Sequence, residues 1–498
     1  MTWLPVATWL QPALAGLILW LMPRGSSWRR PFALIFALAE LGLAVMLLRT
    51  TAEGTILVHA FGSWAAPFGI VFVADRLSAI LVLLNALLML VTVGMLSGQR
   101  HGRRTVERGV PLLFLLSCGL VGAFQTGDLF HLFVAFEVVL LASYALLQVP
   151  GNARSKRAAF PNIAVNLLAS MFFFVGVGVL YGRLGTVNLA DLVVQLDGNP
   201  ALPETFAIYL LAVAFGTKAG LVPLLFWLPA SYPATSGPIA AFFAGMMTKL
   251  GVFALLRMTP LLAATPAISE VLVWVGAISA IVGGLSAISE YELRRLLGFH
   301  IVSQVGYMVL GLGLLTVNAV AAAIFYLSHH ILVKAALFFV ADELERSAGS
   351  RDLRQIFARG SSRPALIVLF LAAAFSLAGL PPLSGFFAKL GLFHATFEAG
   401  AWIPLAALAI ASVYTLASML KIWQLAFAAP ETDASSSQHD SHKTGSLLPL
   451  WLLLAVSIAL ALLAGPAFRF AEATAQQLLD PATYSNPVTQ QSPVKGEK

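Results

Sequence analysis

The chain has 498 residues, of which 59% are hydrophobic and 11% charged. No soluble core could bury that much apolar surface, so the fold class is all-α and polytopic in a membrane. Its one cysteine, Cys118, excludes an intrachain disulfide and a cysteine-held iron–sulfur cluster, and neither a dinucleotide fingerprint nor a phosphate loop occurs. No cofactor is therefore expected, and redox or ATP chemistry would sit on another chain.

The formal net charge of +7 reads as topology, with no nucleic-acid partner, because basic residues gather in alternate loops. The clusters are Arg24, Arg29 and Arg30; Arg100, Arg103, Arg104 and Arg108; Arg154, Lys156 and Arg157; Arg294 and Arg295; then Arg346, Arg351, Arg354, Arg359 and Arg363. The positive-inside rule places them in the cytoplasm and both termini outside. At ~20 residues per crossing, spans are expected near 3–22, 31–49, 75–97, 111–126, 129–149, 161–182, 205–228, 238–258, 266–288, 298–316, 319–341, 365–390, 402–425 and 447–468, about fourteen in all. Charges follow the first span, the reverse of a cleavable leader, so it is expected to stay as a helix.

In chain order, the second span carries Glu40, read as a carboxyl that is protonated or reaches a neighbour, in preference to a transport role. Residues 50–74, with Phe61, Trp64 and Phe68, read as an interfacial hairpin, and Asp75-Arg76 as the cap of the third helix. The fifth span carries Glu137 at its middle, roughly 13 Å of helix beyond Asp128. Asp128 is a conceivable sodium ligand but reads better as a helix cap, and His131 as an interfacial histidine. An isolated ionised carboxylate at that depth would neutralise, so Glu137 either holds its proton or has a cationic partner, for which Lys218 is the obvious candidate.

Lys218 lies at the middle of the seventh span, where an ammonium costs ~3 kcal/mol if it faces lipid. Gly220 and Pro223 follow it within a turn or so, a combination expected where a helix is broken beside a cavity. Ala219-Gly220-Leu221-Val222-Pro223-Leu224 returns as Ala378-Gly379-Leu380-Pro381-Pro382-Leu383, close to Lys389 in the twelfth span. Two Gly/Pro-interrupted spans in two halves of one chain point to a transporter built from repeats.

Between the two breaks lie Lys249 in the eighth span and His329, His330 and Lys334 in the eleventh. His330 and Lys334 share a helical face, and His329 is turned by about 100°. With no carboxylate or cysteine nearby to complete a metal site, these groups read as a hydrated proton path, and no metal is expected. The loop ETDASSSQHDSHKTGS holds a metal-like string, His439-Asp440-Ser441-His442, read as a solvated loop. The end from Tyr484 reads as a disordered tail.

These residues together make a resemblance recognisable. TGDLFHLFVAFEVVLLASYALL (126–147), FHIVSQVGYMVLGLG (299–313), SHHILVKAALFF (328–339) and SLAGLPPLSGFFAKLGLF (376–393) resemble the antiporter-like membrane subunits shared by respiratory complex I and the Mrp cation/proton antiporters, and look most like the D-type Mrp subunit. Complex I relatives usually show tryptophan where this chain has Phe136, and some show glutamate where it has Lys389.

The resemblance implies fourteen helices with two inverted five-helix repeats. The divisions are 1–110 for the first three helices, 111–258 and 266–425 for the repeats, and 426–498 for the polar loop, last helix and tail. It also implies a place beside other hydrophobic subunits in the bacterial inner membrane, with protons and Na+ or another monovalent cation as cargo. The functional positions it carries over are Glu137, Lys218, Lys249, His330, Lys334 and Lys389.

Two other functions compete: the membrane arm of a quinone- or hydrogenase-linked redox complex, which would use the same proton path, and a lipid or polysaccharide flippase. One lysine in each of several spans argues against the wide cationic cavity of a flippase.

Overall fold

The computed structural model describes residues 2–64, 69–97, 102, 104–356, 364–428 and 446–489. Phe68, several of the loop arginines and the His439–His442 string lie outside these residues.

Helices α1 (Leu4–Leu21) and α2 (Arg29–Thr51) lead into a hairpin of β1 (Leu57–Ala60) and β2 (Val71–Ala74), antiparallel with Leu57 opposite Ala74. The expected hairpin is thus present, with the Phe61 ring packed edge-on against Phe72. It is tied to the bundle where Val73 N donates to Gln125 O. α3 (Arg76–Ser97) follows, capped by Asp75 Oδ1, which accepts from Ser78 N at 2.9 Å.

Next come α4 (Val110–Phe124), α5 (Leu129–Gln148), the 32-residue α6 (Ala153–Leu184), the surface helix α7 (Leu189–Leu196), α8 (Leu202–Ala219) and the short α9 (Trp227–Ser231). α10 (Gly237–Arg257), α11 (Thr259–Ala263), α12 (Pro266–Ser289), α13 (Leu293–Gly313) and the 32-residue α14 (Val317–Ala348) form the middle of the chain. α15 (Leu353–Ile356), α16 (Pro364–Ala378), α17 (Ser384–Glu398), α18 (Trp402–Ala426), α19 (Leu448–Leu462), α20 (Ala464–Leu479) and α21 (Pro481–Thr489) complete it.

Among the described residues, eleven helices are long and apolar enough to cross a membrane, or up to twelve counting a bent pair. About fourteen were expected. The difference lies where the chain breaks: α8 ends early at Gly220, α16 and α17 are half-length pieces, and α19 meets α20 at 81°. The tail expected from Tyr484 is instead helical to Thr489, because Tyr484 and Val488 bury their side chains; the tyrosine ring lies over Arg257.

α10, α13 and α14 are enclosed on nearly all sides, whereas α1, α2, α6 and α18 keep an apolar flank turned outward. In lipid there is no hydrophobic drive between helices, so close packing depends on small residues. α12 and α13 show this: a Cβ on Gly306 would stand 2.5 Å from Gly276 O, and one on Gly283 2.4 Å from Ser303 N.

The tightest such site is the second break, where a Cβ on Gly385 would stand 1.7 Å from Ser376 O. Gly385→Ala is therefore expected to cost about 1–3 kcal/mol by overpacking. The expected result is a lower melting temperature of the purified protein; an unshifted melt would show that the break yields freely.

Candidate functional site: a row of buried lysines and histidines

The two breaks are built alike. At the end of α8, Gly220 N donates to Thr217 O and Leu221 N to Gly216 O; at the end of α16, Gly379 N donates to Ser376 O and Leu380 N to Phe375 O. Each is a Schellman cap, which needs a left-handed residue, and Gly220 (φ 81°) and Gly379 (φ 88°) supply it. The proline after each glycine prevents the helix from resuming at once, and both Val222–Pro223 and Pro381–Pro382 are cis. Freed backbone groups find side-chain partners: Val222 N donates to Ser279 Oγ, and Thr217 O accepts from Trp227 Nε1, both at 3.0 Å.

Lys218 sits in the last turn of α8, 3% exposed. Its Nζ lies 5.2 Å from the centre of the Phe136 ring, which stacks on Phe215. A cation over a desolvated ring gains about 2 kcal/mol, part of what holds an ammonium here.

Glu137, half-buried on α5, faces the same place, yet among the described residues no direct ion pair joins it to Lys218. Ser170 of α6 stands between them, accepting from Lys218 Nζ at 3.1 Å and donating to Glu137 Oε1 at 2.5 Å. Sequence reasoning missed this hydroxyl, since one serine in an apolar helix is unremarkable. Lysine, serine and glutamate in line can pass a proton by a concerted shift, Nζ–H to Oγ and Oγ–H to Oε1.

Lys249 of α10 is fully buried and folds back on its own helix, with Nζ donating to Ala244 O at 2.6 Å. His330 and Lys334 of α14 are fully buried too, and neither ring nitrogen of His330 nor Lys334 Nζ has a hydrogen-bond partner. His330 lies within electrostatic reach of Lys249, Lys334, His329 and His300. Buried polar atoms with unmet hydrogen-bonding capacity draw water between them. Between Lys218 and Lys249 no hydrogen bond runs among the described residues. Their helices nonetheless touch, since a Cβ on Gly251 would stand 2.5 Å from Ala219 N.

On the far side of α14, His329 shares a hydrogen bond of 2.8 Å with Ser384 Oγ at the start of α17, and Ser384 reaches Ser376 and Ser457. Lys389 of α17 is buried, donates to Ala378 O at 2.9 Å and lies over the Tyr307 ring. The hydroxyl-linked neighbour of the second break is thus His329, while its sequence neighbour His330 faces Lys249. His300 of α13, which the sequence did not single out, closes the row: it lies within reach of Lys334 and Lys389 and shares a 2.6 Å hydrogen bond with Ser418.

Asp128 stands apart, capping α5 by accepting from His131 N at 2.8 Å. His394 is exposed and faces Glu398.

Beyond Lys334 along α14, a cleft of about 650 Å³ opens where α14 ends and α10 begins. Arg294, Asp342, Glu345, Arg346 and Arg351 line it, and Arg294 bridges Asp342 and Glu345 at 2.9 and 2.8 Å. This ionic mouth lies at one end of the helices that carry Lys249 and Lys334.

A family model described as NADH:quinone oxidoreductase/Mrp antiporter, TM, matches residues 126–415, which contain every lysine and histidine of the row. The D-type subunit of the Na(+)/H(+) antiporter of Alkalihalophilus pseudofirmus is 38% identical over 95% of this chain and 97% of its own length. The N-type subunit of the NADH-quinone oxidoreductase of Desulforudis audaxviator is 35% identical over 80% of this chain and 81% of its own. A chain in the structure of the Mrp complex from Dietzia sp. DQ12-45-1b superposes with a TM-score of 0.86 at 31% identity, covering 98% of this chain and 99% of that one. On the strength of the row, the paired breaks and these matches, the chain belongs to the NADH:quinone oxidoreductase/Mrp antiporter family of transmembrane subunits.

Proposed function

We propose that this chain is the proton-translocating, D-type component of a multisubunit antiporter that exchanges Na+ or another monovalent cation for protons across the bacterial cytoplasmic membrane. The observation that carries the reading is the row itself: buried bases from Lys218 to Lys389, set between two broken helices and ending at Glu137 in a serine-bridged carboxylate.

Glu137 and Lys218 act as a gated pair. Lys218 holds its proton while the carboxylate stands opposite through Ser170, and gives it up when that contact is lost. Lys249 holds the central proton, His330 and Lys334 carry it across α14, and His329 with Ser384 hands it toward Lys389. The ionic cleft at Arg294, Asp342 and Glu345 serves as the cytoplasmic mouth. The matching caps at Gly220 and Gly379 support two repeated units, 111–258 and 266–425, which are inverted with respect to each other in this reading, and the basic loops favour both chain ends outside. The outward apolar flanks of α5 and α6, with Val138, Leu141 and Met171 exposed, suit lipid or neighbouring hydrophobic subunits.

The match to an N-type oxidoreductase subunit favours a second reading, the same path driven by electron transfer in a redox complex. Proteins that copurify separate the two, since iron–sulfur or flavin subunits would favour the redox complex.

The test is Na+-dependent, pH-gradient-driven dye quenching in everted vesicles from an antiporter-deficient strain carrying the whole operon. Lys249→Ala is expected to remove at least about nine-tenths of exchange, in line with the ~10²-fold or larger role of a positioned proton carrier, with the complex still assembled. Full exchange by an assembled Lys249→Ala complex would sink the reading.

A further inference from the structure

Helices α2, α3 and α4 bury a second polar cluster that the row does not use. Glu40 of α2, Asn85 of α3 and Ser117 of α4 converge from three helices and are all buried. Glu40 Oε1 accepts from Asn85 Nδ2 at 3.0 Å and from Ser117 Oγ at 2.5 Å, while Asn85 Nδ2 also donates to Ser117 Oγ at 2.6 Å. Both donors are spent on one carboxylate oxygen. Glu40 Oε2 and Asn85 Oδ1 are left without a hydrogen-bond partner.

Among the described residues no lysine, arginine or histidine is paired with Glu40, and the titratable group beside it is the Cys118 thiol. A carboxyl in the hydrocarbon zone without a basic partner is neutral only while it holds a proton or a cation. The unused atoms here are oxygens, one carboxylate and one amide, with a hydroxyl alongside. That donor set is hard, which suits an alkali or alkaline-earth ion and disfavours softer metals. A single carboxylate balances one positive charge and leaves a divalent ion under-neutralised.

We propose that Glu40, Asn85 and Ser117 form a binding site for a monovalent alkali cation, Na+, that a proton and the cation occupy in turn. Glu40 Oε2 and Asn85 Oδ1 are the primary ligands, and Ser117 Oγ turns a lone pair inward when the ion enters. Mutually exclusive occupancy of one carboxylate by Na+ or H+ is the condition an exchanger needs. In this respect the site rests on the antiport reading, although Na+ binding itself does not.

The experiment measures equilibrium binding of radioactive Na+ to the purified whole complex, alongside the Na+ dependence of exchange in vesicles. Glu40→Gln is expected to lose one bound Na+ per complex. Asn85→Ala, which keeps the carboxylate, should raise the Na+ concentration for half-maximal exchange roughly tenfold to hundredfold, the usual cost of disturbing a metal's coordination. Na+, unlike choline, should raise the melting temperature of the wild-type complex and not that of Glu40→Gln.

If Glu40→Gln fails to assemble, Asn85→Ala decides the matter: unchanged Na+ affinity in that variant overturns the site. Wild-type Na+ binding by Glu40→Gln overturns it too, even if exchange is lost, because the carboxyl would then hold a proton only. A wild-type complex that binds Na+ but does not exchange it would leave this site standing and sink the antiport reading instead.

Discussion

Glu137→Gln and Lys218→Ala are each expected to abolish cation/proton exchange while leaving the complex assembled. Two unit charges about 4 Å apart at an effective dielectric constant near 20 interact by roughly 4 kcal/mol, and separation across a serine hydroxyl reduces this. The membrane potential supplies about 2.3 kcal/mol per charge per 100 mV. The two energies are of one size, so the field can pull the pair apart and the pair can re-form when the field is spent. Removing either charge leaves nothing to switch.

Neither substitution should unfold the chain. Glutamine keeps the hydrogen bond from Ser170, and alanine at 218 removes a buried charge instead of exposing one. Ser170→Ala provides the sharper comparison, because it keeps both charges and removes only the bridge linking them. Exchange should then fall by roughly a hundredfold without a change in Na+ dependence. Dye quenching in everted vesicles reads all three, and wild-type rates in Glu137→Gln and Lys218→Ala would refute the gated pair.

The second large effect concerns stability. Arg257, the last residue of α10, forks onto Asp75 with Nη1 to Oδ2 at 2.5 Å and Nη2 to Oδ1 at 3.0 Å, and also reaches Ser78 Oγ at 2.9 Å. Both ionic side chains are almost fully buried, and the guanidinium lies 5.3 Å from the centres of the Phe253 and Tyr484 rings. Breaking such a pair strands a buried charge, which costs about 3–5 kcal/mol. Asp75→Ala should therefore melt at a distinctly lower temperature and expose the α21 segment to protease. The double variant Asp75→Leu with Arg257→Met should recover much of the loss, since a well-packed apolar pair replaces a buried ion pair at little net cost. A single Asp75→Ala variant that melts with the wild type would refute this account.

Much of the row was legible because charge in hydrocarbon is expensive: Lys218, Lys249, Lys334 and Lys389 each break an apolar run, and none of them faces outward. The breaks were legible for a related reason, since Gly220 and Gly379 followed by proline cannot continue a helix. Asp128 was legible as a cap from its place before an apolar run. Ser170, Ser384 and His300 were not. A serine hydroxyl costs little in an apolar helix, where it can donate to a backbone carbonyl, and His300, close after Arg294 and Arg295 at the start of α13, reads as part of a polar helix end.

The partnership of Asp75 with Arg257 was invisible for a different reason. The two residues are 182 positions apart, and each alone looks like an ordinary helix-end charge. The helix at Tyr484 was missed because its short, polar sequence gains its order only from the surface it covers.

The 32-residue α14, about 48 Å long at the usual rise, places His329 and His330 next to each other in sequence but on different sides of its axis. One imidazole looks toward Ser384 and the other toward Lys249. On the proposed route a proton therefore changes sides of α14 at this pair, so the helix axis divides the path into two halves that meet at two adjoining imidazoles.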